Sequence, residues 1–363
     1  VQSIVAGPGH LLWVRERTLF AQGFAPGKLR LLGEPEAVTQ DISINAIRRA
    51  AFWASETGVL VYRTGGATSY RMAWFNRDGK AAGQLETAAN AGGSLRLSPD
   101  SNRLAFSRNG GGTSVNMWLL EFSRSVFTRL TFSASSDWGP AWSPDGRQIA
   151  FSSDRTGVLQ IYRKDAGGGG QEEQLTSGPN DKRVTDWSRD GKYLLYSQDD
   201  ATGSPDLWAL ALEGDRKPIP LLRTRFAEVK GQFSPDGKWI AYESNESGGF
   251  EIYIRRFPSS GGQWQISNRG GTDPKWRGDG KELFYLSPNR RMMAVTIRAS
   301  PASIQADTPR ELFPAPVSSA PLGTAPYDVT ADGQRFLLGQ AVEGGSRVQP
   351  LTVVVNWEAG LKK

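Results

Sequence analysis

One short phrase, repeated six times about 45 residues apart, constrains this chain more than any other feature: LRLSPDSNRLAFS (95–107), PAWSPDGRQIAFS (140–152), TDWSRDGKYLLYS (185–197), GQFSPDGKWIAYE (231–243), PKWRGDGKELFYL (274–286) and YDVTADGQRFLLG (327–339). The turn aspartates Asp100, Asp145, Asp190, Asp236, Asp279 and Asp332 are separated by 45, 45, 46, 43 and 53 residues. That period is the length of one four-stranded propeller blade, a unit that buries its faces only against its neighbours.

Within each phrase the chemistry reads as strand, tight turn, strand. Proline presets φ early in a turn, aspartate bonds the local backbone and glycine accepts positive φ. The aspartates are therefore read as turn-makers. In QIAFSS, alternation sends Ile149 and Phe151 to one face and Ala150 and Ser152 to the other. Seventeen or eighteen residues after four of the aspartates comes a third strand with an aromatic at a fixed place, Trp118, Tyr162, Trp208 or Tyr253. After Asp279 the equivalent is MMAVTI, and fourth strands end in TRLT, EQLT and WQIS.

Two weaker copies, SIVAGPGHLLWVRE (3–16) and AAFWASETGVLVYR (50–63), precede the six. Counting them predicts an all-β chain forming one β-propeller domain, 1–363, of four-stranded antiparallel blades. Eight blades are favoured, with seven as the alternative: 1–40, 44–90, 93–131, 138–176, 184–222, 229–267, 272–314 and 325–363. The last unit lacks an obvious fourth strand, which residues 1–6 or a segment upstream would supply. The 42 Gly and 21 Pro, about 17% of the chain against a usual share near 12%, are mostly absorbed as turns.

Composition narrows the chemistry. There is no Cys, which excludes disulfides, zinc–thiolate sites, iron–sulfur clusters and thiol nucleophiles. The one His, His10, excludes any mechanism needing two imidazoles, and it follows a GPG turn away from the polar loops, so a structural role is expected. The net charge of +6 is spread among 43 basic and 37 acidic residues without a stripe, so no nucleic-acid partner is expected. The longest apolar run, Leu207–Leu212, is far short of the ~20 residues that span a bilayer, so no direct membrane insertion is expected. The Gly run 167–170 is not followed by Lys-Ser or Lys-Thr and is not a phosphate loop.

In a propeller the SPDG turns fall on one face, and the remaining loops collect on the other. Those loops place Asp137, Trp138, Asp154, Arg155, Asp181, Lys182, Arg183, Asp199, Asp200, Asn245, Glu246 and Asp273 around one mouth. Carboxylates, guanidinium groups and a Trp suit a polar ligand, peptide or sugar, although the same residue types also make ordinary turns. No loop has DxDxDG spacing, so no metal, and no other cofactor, is expected.

With the repeats laid out, the chain resembles the TolB-type, WD-like β-propellers. The phrases GHLLWVRERTLFAQGF (9–24), YRMAWFNRDGK (70–80), DRKPIPLL (215–222), GQFSPDGKWIAYESNESGGFEIYIRRFP (231–258), WQIS (264–267), WRGDGKELFYLS (276–287) and TVVVNWEAGLKK (352–363) more narrowly resemble the C-terminal propeller of membrane-anchored serine/threonine protein kinases of Acidobacteria. The resemblance implies an extracytoplasmic, periplasmic location and a sensor or interaction module of a larger bacterial signalling protein, working through protein contacts. The chain has no kinase glycine loop, VAIK-type lysine, HRD or DFG segment, so kinase activity does not reside in these residues. The expected function is a non-catalytic binding module for a peptide, glycan or envelope protein, with no catalytic residues. The alternative is a propeller lyase or hydrolase acting on glycans through loop carboxylates.

Overall fold

A computed structural model of the chain describes all residues except 1–2, 7–8, 16, 41, 44–49, 65–69, 86–90, 110–113, 201–202, 259–260, 301–302, 318–325, 342–350 and 362–363. Each SPDG phrase is a strand, a turn and a strand. Asp145 accepts hydrogen bonds from the Ser143 hydroxyl (2.6 Å) and the Arg147 N–H (3.0 Å), and Gly146 takes a φ of 67°. The pattern repeats at Asp190 and Asp236, so the repeated aspartates hold turns.

Past the turn, second and third strands pair with aromatics directly opposite: Phe106 with Trp118, Phe151 with Tyr162, Tyr196 with Trp208 and Tyr242 with Tyr253. The alternation at 149–152 is one of size, since Ile149, Ala150, Phe151 and Ser152 are all buried. Ile149 and Phe151 pack with Met117 and Leu119 of the preceding sheet, whereas Ala150 packs with Val184 and Leu194 of the next. A blade has two buried faces, which is why polarity does not alternate along it.

Six of the expected units are contiguous antiparallel sheets: 3–39, 91–129, 137–174, 182–222, 228–265 and 272–314. The other two, 44–90 and 325–363, are not. Phe52–Ala54 and Val59–Tyr62 pair with Thr352–Val355. Tyr70–Asn76 and Ala81–Leu85 instead complete the sheet begun by Tyr327–Val329 and Arg335–Ala341. Ser3–Ala6 pairs with His10–Arg15 within its own sheet and is not an outer strand for the last unit. The chain divides into two compact units, 1–69 with 341–363 and 70–340. Both exchanges join strands from distant parts of the chain in one sheet, a device that leaves fewer free edges than sheets built from contiguous segments alone.

In the unit 70–340, the innermost strands are Ala91–Leu97, Asp137–Trp142, Lys182–Trp187, Glu228–Phe233, Thr272–Trp276 and Tyr327–Val329. Neighbouring sheets are stitched by long-range bonds. Trp142 Nε1 donates to Arg96 O (3.0 Å), Val184 N to Ser152 Oγ (2.9 Å), Phe233 N to Asp186 Oδ2 (2.8 Å) and Trp276 Nε1 to Gln232 O (3.3 Å). Gly278 N donates to Ala331 O (2.8 Å), and Leu97 N to Asp328 Oδ2 (2.8 Å), which closes the circuit from last inner strand to first.

The unit 1–69 with 341–363 holds the sheet 3–39 and the three-stranded sheet of 52–62 with 352–355. Leu12, Leu19, Ile42, Leu60 and Trp357 form its buried centre. His10 starts a strand there, its ring 5.5 Å edge-on to Trp357 and its Nδ1 3.9 Å from Glu358, so the structure gives it the expected structural surroundings.

Candidate functional site

The loop residues singled out by sequence lie at the strand ends opposite the SPDG turns, where five of them, Asp137 with Arg155 and Arg183 with Asp181 and Asp199, pair with one another. Asp137, fully buried at the head of its strand, faces Arg155 (3.3 Å), which also pairs with Glu172 and lies 4.2 Å over the Tyr162 ring. Burial pushes the Asp137 carboxyl above its ordinary value, against the hydrogen bonds of Thr131 and Ser153 and the charge of Arg155. Arg183 bridges Asp199 (2.6 Å) and Asp181 (3.1 Å), and Asp181 also accepts from Leu159 N (2.9 Å).

Asp154 and Asn245 hold equivalent places, accepting from the backbone N–H of Ser136 (2.8 Å) and Ala227 (2.9 Å) just ahead of their inner strands. Asp200 closes its own loop through Ser204 N (2.9 Å), and Glu246 accepts from Gln263. Trp138 is half-buried opposite Ser152. Lys182 is buried with its ammonium on Asn180 O (3.1 Å), and desolvation pulls its pKa down. The residues form separate local clusters rather than one open constellation.

Asp273 differs from its companions. It lies at the channel wall, buried, 2.8 Å from the partly buried Lys230, which is 3.5 Å from Glu243. Lys230 and Asp273 occupy strand irregularities where sheet 137–174 uses Gly139, and all three have positive φ, 52°, 59° and 64°. For side-chain-bearing residues that conformation costs about 1–2 kcal/mol each, which the ion pair between them helps to offset. Desolvation opposes the Lys230 charge, yet the carboxylates of Asp273 and Glu243 outweigh it and hold its pKa above the ordinary lysine range. Burial pushes Glu243 up to about 7.

Deeper in the channel is a set of residues that loop-based reasoning did not select. The position four before each turn aspartate carries Arg96, Ala141, Asp186, Gln232, Lys275 and Asp328. All but Ala141 line a cavity of about 160 Å³ that opens toward the SPDG turns past Ser101 and Arg189. Arg96 donates to Gln232 Oε1 (3.0 Å) and to Thr185 O, while Asp186 and Asp328 are anchored by the backbone bonds that stitch the ring. Lys275, buried and 3.7 Å from Asp328, is pulled down to about 8 by desolvation and then by Arg96. Burial raises Asp186. The signal was available in the repeat: five of the six phrases put a polar or charged residue at a place that strand pairing turns to the axis.

Comparison with known proteins agrees with this geometry. Residues 80–207 match the family model of the TolB beta propeller domain. A TolB-assigned protein of Agrobacterium tumefaciens superposes with a TM-score of 0.59 at 17% identity, covering 76% of this chain and 99% of that one. TolB from Acinetobacter baumannii gives 0.52 at 17% identity, covering 93% of this chain and 78% of that one. No curated protein sequence matches the chain. The sheets, the repeat and these matches together make the fold a β-propeller, similar to that of the TolB structures.

Proposed function

We propose that this chain is a non-catalytic binding module in which residues 70–340 form a six-bladed ring and present the central channel, from the SPDG side, to a polar segment of a partner protein or peptide. The observation that carries this reading is the channel wall itself. Arg96, Asp186 and Asp328 are held by hydrogen bonds to neighbouring strands, and Lys275 faces the cavity with Asp328 no nearer than 3.7 Å. Charges fixed in advance cost little to organise when a ligand arrives, which favours selective capture. The phrases shared with kinase-associated propellers support the finer reading, a sensor or interaction domain of a larger bacterial signalling protein on the periplasmic side, and glycans and envelope proteins remain within the ligand class.

A second reading has its own support. Glu228 and Glu243, both pushed up to about 7 by burial, lie in the range useful to a general acid or base, which favours a propeller lyase or hydrolase acting on glycans.

A thermal-shift screen against extended peptides and oligosaccharides, with product analysis of every hit, separates the two. The binding reading expects stabilisation without turnover, lost in Lys275→Met and retained in Asp137→Asn. Turnover of a glycan, or a hit indifferent to Lys275→Met, would overturn it.

A further inference from the structure

The loop face contains one place built three times in neighbouring sheets, and the three copies are not electrically alike. Each consists of a polar residue near the start of a third strand, the first residue of the next inner strand, and the residue ten positions after a turn aspartate, in the loop that follows a second strand. In the copy between sheets 91–129 and 137–174 these are Asn116, Asp137 and Arg155. In the next they are Gln160, Lys182 and Asp200, and in the third Asp206, Glu228 and Glu246. The first two copies each balance one carboxylate with one cation. The third has three carboxylates.

The hydrogen bonds differ accordingly. Asn116 donates to Ser133 O (3.0 Å) and accepts from Arg129 (2.7 Å). Gln160 donates to Gly178 O (2.9 Å) and accepts from Thr176 Oγ1 (3.0 Å). The corresponding Glu251 in the following sheet has both oxygens taken, by Gly270 N (2.8 Å) and the Ser267 hydroxyl. At the third copy the hydroxyl of Thr224 goes to Glu228 Oε1 (2.6 Å), and two oxygens, Asp206 Oδ1 and Glu228 Oε2, are buried without a hydrogen-bond partner, whereas the first copy has one, Asp137 Oδ2, with the Arg155 guanidinium on the same carboxylate. Asp206 and Glu228 are 4% and 2% exposed. Arg223 is largely exposed, with Nε 3.7 Å from the other oxygen of Asp206, and the buried Arg255 acts on Glu228 electrostatically without an ion pair to it. Burial raises both carboxyls, with Asp206 and Glu246 adding repulsion at Glu228 and Asp200 adding it at Asp206. Where the first copy supplies the Arg155 guanidinium, this one supplies Glu246.

We propose that the Asp206–Glu228 pair is a binding site for a hard divalent cation of the calcium or magnesium class. Two unpartnered carboxylate oxygens flanked by a third carboxylate are oxygen donors of the kind such ions select. Among the described residues no three acidic or imidazole side chains converge as a complete ligand set, so the proposed site has two protein carboxylates and the rest of its shell would come from water. This agrees with the way magnesium is commonly held, by one or two carboxylates with several waters retained.

The test is thermal melting of the full chain at pH 7.5 after chelator treatment, with calcium chloride or magnesium chloride added against sodium chloride of equal ionic strength. A rise of about 2–4 °C at saturating cation is expected. It should vanish in Glu228→Gln and in Glu246→Arg. The second variant transplants the arginine of the first copy, so it should melt higher than wild type without cation and serves as the folded control. No rise in the wild type with either salt, or a rise undiminished in both variants, would overturn the proposal.

Discussion

Asp137 and Glu228 stand at the same place two sheets apart, and they show how one loop residue sets the character of a buried carboxylate. Arg155 reaches Asp137 from the end of its own second strand and settles over Tyr162. Glu246, at the matching position, bonds to Gln263 and adds negative charge near Glu228. Backbone, ladder and the neighbouring Asp154 or Asn245 bracket are the same in both. The repeat thus fixes a scaffold on which a change at one turn position converts a self-neutralised latch into a site that calls for a cation from outside.

The channel makes a sharper contrast still, because its carboxylates join sheets instead of closing loops. Asp328→Ala removes the acceptor of Leu97 N–H at the point where the ring closes and strips Lys275 of its nearest anion. A loss of about 3–5 kcal/mol is expected, read as a lower denaturation midpoint. A variant that melts like wild type would show that the circuit does not depend on this bond.

At the loop face, Arg155→Ala leaves Asp137 buried without its guanidinium and should cost about 3 kcal/mol. Glu246→Ala, the matching change, should be neutral or slightly stabilising in the absence of divalent cations. Equal losses in the two would erase the distinction between the slots.

The smallest expected effect is a pH dependence, measured without divalent cations. Folding raises Glu228 from an ordinary 4.5 to about 7, so the folded state favours its protonated form. Its contribution is complete below pH 4.5 and fades as the pH rises through 7. Glu228→Gln should therefore be more stable than wild type at pH 8 by about 1–2 kcal/mol and should lose that advantage by pH 4.5. An advantage independent of pH would place the strain elsewhere.

Much of this was legible in the residues. Ser143, Asp145 and Gly146 carry their turn wherever they occur, because their bonds reach only two or three positions along the chain. The aromatic spacing likewise announced the Phe151–Tyr162 pairing. That Arg183 is occupied by Asp181 and Asp199 could not be seen in the sequence, since both bonds depend on how the strand ends face one another. Arg96, Asp186, Lys275 and Asp328 sat unremarked in phrases read for their turns, although their shared distance from the aspartates would have revealed them.

By itself, the sequence determined the all-β class, the unit of about 45 residues and the turns. All of these follow from short-range chemistry repeated at a fixed period. Only the tertiary structure decided that Tyr70–Asn76 pairs with the C-terminal strands while Val59–Tyr62 goes with Thr352–Val355, and which carboxylates found a cation. Strand exchange and charge pairing are settled between segments far apart in the chain, where local propensity has no say and the free edge or buried charge takes whichever partner the fold delivers.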